Sequence, residues 1–298
     1  VNWEKGKIQL PSKIIGLYVM YMTGIIWACA ATFIAACVPI LAKVGTKKTD
    51  TALAGSIAGI VLCASIFFYR KDNIMGSSLI ALGQRSVVFI LLAGLATGLF
   101  GICFFKSIHE GYTFQVTAIV KCSYIITLAA GFFLFHNTPD TFDYIAIALM
   151  IVGTVILNLD GTGILFALLA AVCASAAHIL VSLGGIQLDK GFIAFWCVFI
   201  GTLVLIIFTI ATGGMKKIRS MSFVDGICLI LAGIAYPLAY DFYGRAVSMS
   251  GSYAGYIFNL TIIVMMICSS VILKEKVSGK KFLGACIFIA ALFVIACN

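Results

Sequence analysis

Gly24-Ile25-Ile26-Trp27-Ala28 and Gly163-Ile164-Leu165-Phe166-Ala167 read almost alike, and they stand 139 residues apart. The same offset carries Ile40-Leu41 onto Ile179-Leu180 and Gly45 onto Gly184. It also brings Leu92-Ala93-Gly94-Leu95-Ala96 onto Leu231-Ala232-Gly233-Ile234-Ala235, and Lys106 onto Arg245. Further along, Leu134 meets Leu273 and Val155-Ile156 meets Val294-Ile295. Apolar residues coincide easily by chance, but shared glycines in one unbroken register do not. The register predicts two copies of one unit, residues 14–159 and 160–298, forming a single membrane-embedded body.

Composition says what the copies are made of. Of 298 residues, 62% are hydrophobic and only 10% charged, against about 25% charged in a typical soluble domain. A surface facing water cannot be built from so few polar groups. Ten apolar runs stand between short charge clusters: 15–42, 51–69, 86–108, 112–135, 142–159, 162–184, 191–213, 223–246, 252–273 and 282–297. A helix crossing the bilayer core needs about 20 such residues. Period-two alternation is absent, which disfavours a membrane barrel. The reading is an all-α membrane protein of ten transmembrane helices, arranged as two five-helix repeats. Five is odd, so the second copy enters from the opposite side. Inverted-topology repeats of this kind hold a substrate site near the midplane in many secondary transporters. Two like halves inserted in opposite senses give inward-open and outward-open states of comparable energy.

Other classes fall away. The net charge of +9 comes from 20 Lys and Arg against 11 Asp and Glu. The basic residues sit in short clusters between apolar runs, so no nucleic-acid face is expected. No G-x-x-x-x-G-K-[ST] loop is present, nor a G-x-S-x-G or H-E-x-x-H pattern, so the chain is not read as an enzyme. No ring of charges or carbonyl filter points to a channel. The eleven cysteines form no C-x-x-C pair and read as small apolar side chains. Neither a cofactor nor a metal is expected. Val1–Lys13 is polar and does not read as a cleavable signal.

Ile272-Leu273-Lys274-Glu275-Lys276-Val277-Ser278-Gly279-Lys280-Lys281-Phe282-Leu283-Gly284-Ala285 carries a family resemblance. An apolar stretch closing on Glu, a short turn and a Gly-bearing helix are similar to the ending of a repeat in the drug/metabolite transporter superfamily, in its ten-helix EamA-like form. Gly24-Ile25-Ile26-Trp27 resembles that family's first-helix aromatic, and Tyr243-Gly244-Arg245-Ala246 its third-helix ending. The chain departs from the pattern at His136, which stands where the second copy has Glu275. Ser123 and Ile262 occupy positions where the family usually carries Pro. The resemblance implies transport of amino acids, metabolites or cationic compounds, in the plasma membrane, with both termini cytoplasmic. The Lys and Arg distribution leans mildly toward the other orientation. Asn259-Leu260-Thr261, with the aromatic density, resembles the choline-type carriers of the superfamily.

Several residues are candidates for chemistry. Lys121 sits near the centre of the fourth span, where a Lys costs about 2.5–3.5 kcal/mol on insertion scales and normally faces the bundle interior. Its ammonium suits a substrate carboxylate; a structural ion pair or snorkelling is the competing reading. Asp241, the one carboxylate well inside a span, is a candidate for a substrate cation or a coupling proton or sodium. Arg245 follows four residues later in the favourable acid-first order, so a local pair competes. Trp27, Tyr124, Phe166, Tyr236 and Tyr240 are candidate rings for cation–π binding, with Tyr243 on the same stripe as Tyr236. Tyr253 and Asn259, beside Thr261, offer polar groups on the ninth span. His178 is a second coupling candidate, histidine being the residue type suited to a proton switch, with a hydrogen-bonded structural role as the competing reading. Together these predict a secondary transporter for a small polar metabolite, an amino-acid-like zwitterion, with a quaternary-ammonium carrier as the alternative. Its partners are the small-molecule substrate and the lipid bilayer.

Overall fold

The computed structural model describes residues 2–4, 7–9, 12–71, 74, 83–135, 140–158, 163–184 and 190–297. A short antiparallel hairpin, β1 (Asn2–Glu4) with β2 (Lys7–Gln9), precedes α1 (Ser12–Gly45). The first repeat continues with α2 (Thr51–Tyr69), α3 (Gln84–Glu110), α4 (Thr113–Lys121), α5 (Ser123–Phe135) and α6 (Thr141–Asn158). The second comprises α7 (Ile164–Leu183), α8 (Lys190–Ala211), α9 (Phe223–Ser250), α10 (Ser252–Asn259), α11 (Thr261–Ile272) and α12 (Gly279–Cys297). A 3-10 turn, Gly214–Ser220, joins α8 to α9. With α4–α5 and α10–α11 each taken as one crossing, nine segments among the described residues are long and apolar enough to span a bilayer. The 19-residue α12 supplies the tenth.

Helices are the form these runs must take, because hydrocarbon offers no partner for an unpaired N–H or C=O. Phe68, Phe133, Phe223 and Val271 each expose more than 70% of their surface. Such side chains are a liability in water but suit the acyl chains around the bundle.

The halves pack against one another twice over in the same way. α1 runs along α9, and its repeat-related pair, α7 along α3, does likewise. α2 on α9 matches α8 on α3, while α2–α8 and α6–α12 lie across the axis itself. Individual contacts obey the relation. A Cβ on Gly94 would lie 2.5 Å from Ile200, and one on Gly233 would lie 2.8 Å from Val61. Gly233 is Gly94 plus 139 residues, and Ile200 is Val61 plus 139. One close approach, possible only without a side chain, is therefore made once on each side of the axis.

Two crossings differ from the unbroken spans expected from sequence. The fourth is interrupted between α4 and α5 at Cys122, and the ninth between α10 and α11 at Leu260. At each joint an N–H turns to the carbonyl three residues back, Cys122 to Ile119 and Leu260 to Ile257, both at 3.0 Å. Neither joint holds a proline. The Thr261 hydroxyl donates to the Phe258 carbonyl at the second joint, and the Ser175 hydroxyl donates to the Ser123 carbonyl, at 2.8 Å, beside the first. Tight turns inside a helix commonly mark a hinge. His136 lies outside the described residues.

Candidate functional site

A cavity of about 340 Å³ lies between the repeats. Its walls come from α1, α2, α3, α4, α8, α9 and the α10–α11 joint. The two-fold relation runs through it: Gly59 faces it with Val198, Leu62 with Gly201, Thr97 with Tyr236, and Gly101 with Tyr240, each pair 139 residues apart. One symmetry breach stands out. Ala35, Val38, Pro39 and Ala42 of α1 line the cavity, whereas their counterparts on α7, Ala174, Ala177, His178 and Val181, do not.

Among the described residues Lys121 is the charged residue of the lining, at the last turn of α4 where that helix breaks. Its repeat counterpart is Leu260. The Lys121 ammonium lies 5.8 Å from the centre of the Phe258 ring, across the second joint. The four ion pairs among the described residues leave Lys121 out. Tyr236 and Tyr240 complete the polar rim of the cavity, their rings 4.9 Å apart. Tyr243, on the same helix, packs its ring 4.5 Å from Phe258.

Of the residues singled out from sequence, Lys121, Tyr236, Tyr240 and Thr261 are thus brought together, and the other candidates lie outside this lining. Asp241 binds Arg245 at 2.9 Å and approaches Arg70 at 4.0 Å, rather than Lys121. Trp27 packs edge-on against Phe242, with the Arg245 guanidinium 5.5 Å from its ring centre. Phe166 takes the Lys106 ammonium at 4.1 Å. These last two contacts are one motif made twice, because Trp27 and Phe166 correspond, as do Arg245 and Lys106. Tyr124 and His178 are exposed on α5 and α7. Tyr253 sits between the rings of Tyr21 and Tyr256. Asn259 donates to the Leu292 carbonyl at 3.4 Å. Phe258 and the Phe100–Phe104 pair of α3, which line the cavity, carry no sequence signal, being apolar rings in apolar spans.

A second polar centre lies where α1 and α11 end and α4 begins. The Glu275 carboxylate, its side chain 3% exposed, accepts from Lys43 Nζ at 2.8 Å and from the Thr113 hydroxyl at 2.8 Å. It also accepts from the Thr113 N–H at 3.0 and 3.1 Å, satisfying a free donor at the start of α4. Lys43 donates in addition to the Gly111 carbonyl at 2.6 Å. Lys274 holds φ at 56°, a left-handed turn that ends α11 just before Glu275. The buried Lys281 ammonium sits 4.3 Å from the Tyr112 ring and adds to the cluster. The repeat-related positions of Lys43, Thr113 and Glu275 are Ser182, Ser252 and His136. Neighbouring ties on the same face join Asp50 to Lys217 at 2.9 Å and Thr49 to Asp225 at 3.3 Å.

Comparison with curated proteins finds no match. A solved structure described only as "Crystal structure of protein" superimposes with a TM-score of 0.57 at 12% identity, over 93% of this chain and 96% of its own. At that identity the likeness shows the fold alone. The model of the EamA-like transporter family matches twice, over residues 22–159 and 161–297, which together take in both copies of the five-span unit. This chain belongs to the EamA-like transporter family and is a membrane transporter of the drug/metabolite superfamily.

Proposed function

We propose that the chain is a secondary transporter that moves a small carboxylate-bearing metabolite by alternating access, with Lys121 as the partner of that carboxylate. The observation behind this reading is an ammonium in the lining of a cavity between two inverted repeats, with no acid paired to it among the described residues. An intramembrane Lys costs about 2.5–3.5 kcal/mol. A substrate carboxylate offsets that cost on arrival, so the empty site favours its ligand.

The one-sided lining gives the transport cycle its form. In the present state the α1 face from Ala35 to Ala42 borders the cavity. If the repeats exchange conformations, the equivalent α7 face takes its place, and His178 then stands where Pro39 does now. Asn259 replaces Val120 by the same rule. His178 is thereby a candidate to carry a coupling proton in the opposite state, although it lies outside the lining in this one. The Glu275 cluster and the Asp50–Lys217 tie hold one face together here; the α4–α5 and α10–α11 joints are where the halves would flex. The membrane in this reading is the plasma membrane, with both termini cytoplasmic.

Saturable counterflow in proteoliposomes tests the carrier reading, and linear flux that never saturates overturns it in favour of a pore. A single cysteine at Ala177, in a chain with its native cysteines replaced, should be protected from aqueous reagent in one state and modified in the other. Equal labelling with and without substrate counts against the exchange.

A further inference from the structure

Resting on the reading of Lys121 above, we infer that the cargo is an organic monoanion with a largely apolar, ring-sized body, rather than a zwitterion or a cation. Among the described residues the charges in the lining reduce to one positive group, and no Asp, Glu, Arg or His accompanies it. A monoanion brings that site to neutrality. A zwitterion leaves it at plus one, and a quaternary ammonium raises it to plus two in a space with little water to screen the repulsion. Asp241, the acid that sequence would assign to an ammonium, is held by Arg245 and Arg70 and is not part of the lining.

Three of the lining hydroxyls restrict the anion further. Thr97 donates to the Ala93 carbonyl at 2.8 Å, Thr117 to the Thr113 carbonyl at 2.9 Å, and Thr261 to the Phe258 carbonyl. Their protons are already engaged, so they are not free to hold a second negative charge. One ammonium matches one carboxylate, and a dicarboxylate or phosphate monoester would enter with charge unmatched. The remaining walls are rings and small apolar groups, Phe100, Phe104, Phe105 and Phe258 among them, with the hydroxyls of Thr202, Tyr236 and Tyr240 as the other polar groups. A volume of about 340 Å³ lies at the small end of ligand sites, which run from about 300 to 1,000 Å³. It accommodates a single ring or a short branched chain.

Four probes that share a phenyl ring separate the possibilities: 3-phenylpropionate, phenylalanine, phenethyltrimethylammonium and benzylphosphonate. Binding is read by thermal shift and calorimetry on purified full-length protein in detergent, which needs no transport. 3-Phenylpropionate should bind at least ten-fold more tightly than the other three. Lys121→Met should erase that preference, and Lys121→Arg should keep it. Should Lys121→Met not fold, the ranking on the unaltered protein still decides. Phenylalanine or the quaternary amine binding as tightly as 3-phenylpropionate overturns the inference, and so does the absence of binding by all four at millimolar concentration. Anion-selective binding without counterflow would sink the carrier reading and leave this inference standing. Saturable counterflow of phenylalanine in preference to 3-phenylpropionate would do the reverse.

Discussion

Replacing Glu275 with Gln is expected to cost the fold about 3 kcal/mol, near the lower end of the 3–5 kcal/mol seen when one partner of a buried ion pair is removed. Glutamine keeps the size of the side chain but loses the charge, and it presents an NH₂ where an oxygen now accepts. Whichever way the amide turns, a donor then faces the Lys43 ammonium or the Thr113 donors, which lie within 2.8–3.1 Å of the carboxylate. Two features hold the loss to the lower end. Lys43 keeps the Gly111 carbonyl at 2.6 Å, and its side chain is 20% exposed, so part of its charge stays solvated. Reversible unfolding in mixed micelles, followed for Glu275→Gln, Lys43→Met and the double variant, measures the effect. The cycle should return a coupling of about 1–3 kcal/mol, as for contacting residues in one network. A loss below about 1 kcal/mol, the range of an exposed pair, would refute the reasoning, and so would strict additivity of the two single changes.

Gly94→Val and Gly233→Val should each destabilise by about 1–3 kcal/mol through overpacking, because their Cβ atoms would lie 2.5 and 2.8 Å from Ile200 and Val61. By contrast, Gly244→Ala, with nothing within 4 Å of its Cβ, should leave stability unchanged or raise it by roughly 0.5–1 kcal/mol; the same unfolding assay covers all three. Asp241→Asn removes a partly exposed i,i+4 pair, so it should cost about 0.3–0.5 kcal/mol and leave uptake within two-fold in proteoliposomes. Asp50 caps α2 through the Ala52 N–H at 3.0 Å. Partial burial raises its carboxyl's pKa, but the Lys217 hydrogen bond and charge and the α2 amides outweigh this and hold it below 3.8. The cap's stabilisation is therefore full above that ordinary value and fades as pH falls through the lower folded one. The stability gap between the protein and its Asp50→Asn variant should accordingly close only below about pH 4, and a gap that closes near neutrality would contradict this.

What the sequence made legible, and what it hid, follows from the range of each signal. The repeat could be read because glycines at close approaches resist substitution in both copies, as at Gly94 and Gly233. Lys121 could be read because one ammonium in an apolar span has a large energetic signature wherever it points. Pairings across the bundle could not. Trp27 and Phe166 were aligned with one another, and Lys106 with Arg245, yet nothing local says that Arg245 lies over Trp27 and Lys106 over Phe166. The helix joints were hidden too, because Cys122 and Leu260 are not residues that break helices, and the turns there are set by tertiary contacts. Lys43 and Glu275 lie 232 residues apart. Each alone looks like an ordinary charge at the end of a span, and burial makes them a clamp. Phe258 is the plainest case: one apolar ring among many until a cavity opens beside it.

The doubled glycine contact has a bearing on which way this molecule rests. Wherever two copies make the same contact, that contact weighs equally on a conformation and on its mirror image, and it drops out of the difference between them. The resting preference must then be written where the copies disagree, and Lys43, Thr113 and Glu275 against Ser182, Ser252 and His136 are such positions. Exchanging Lys43, Thr113 and Glu275 with their counterparts would turn the same scaffold to favour the other side of the membrane.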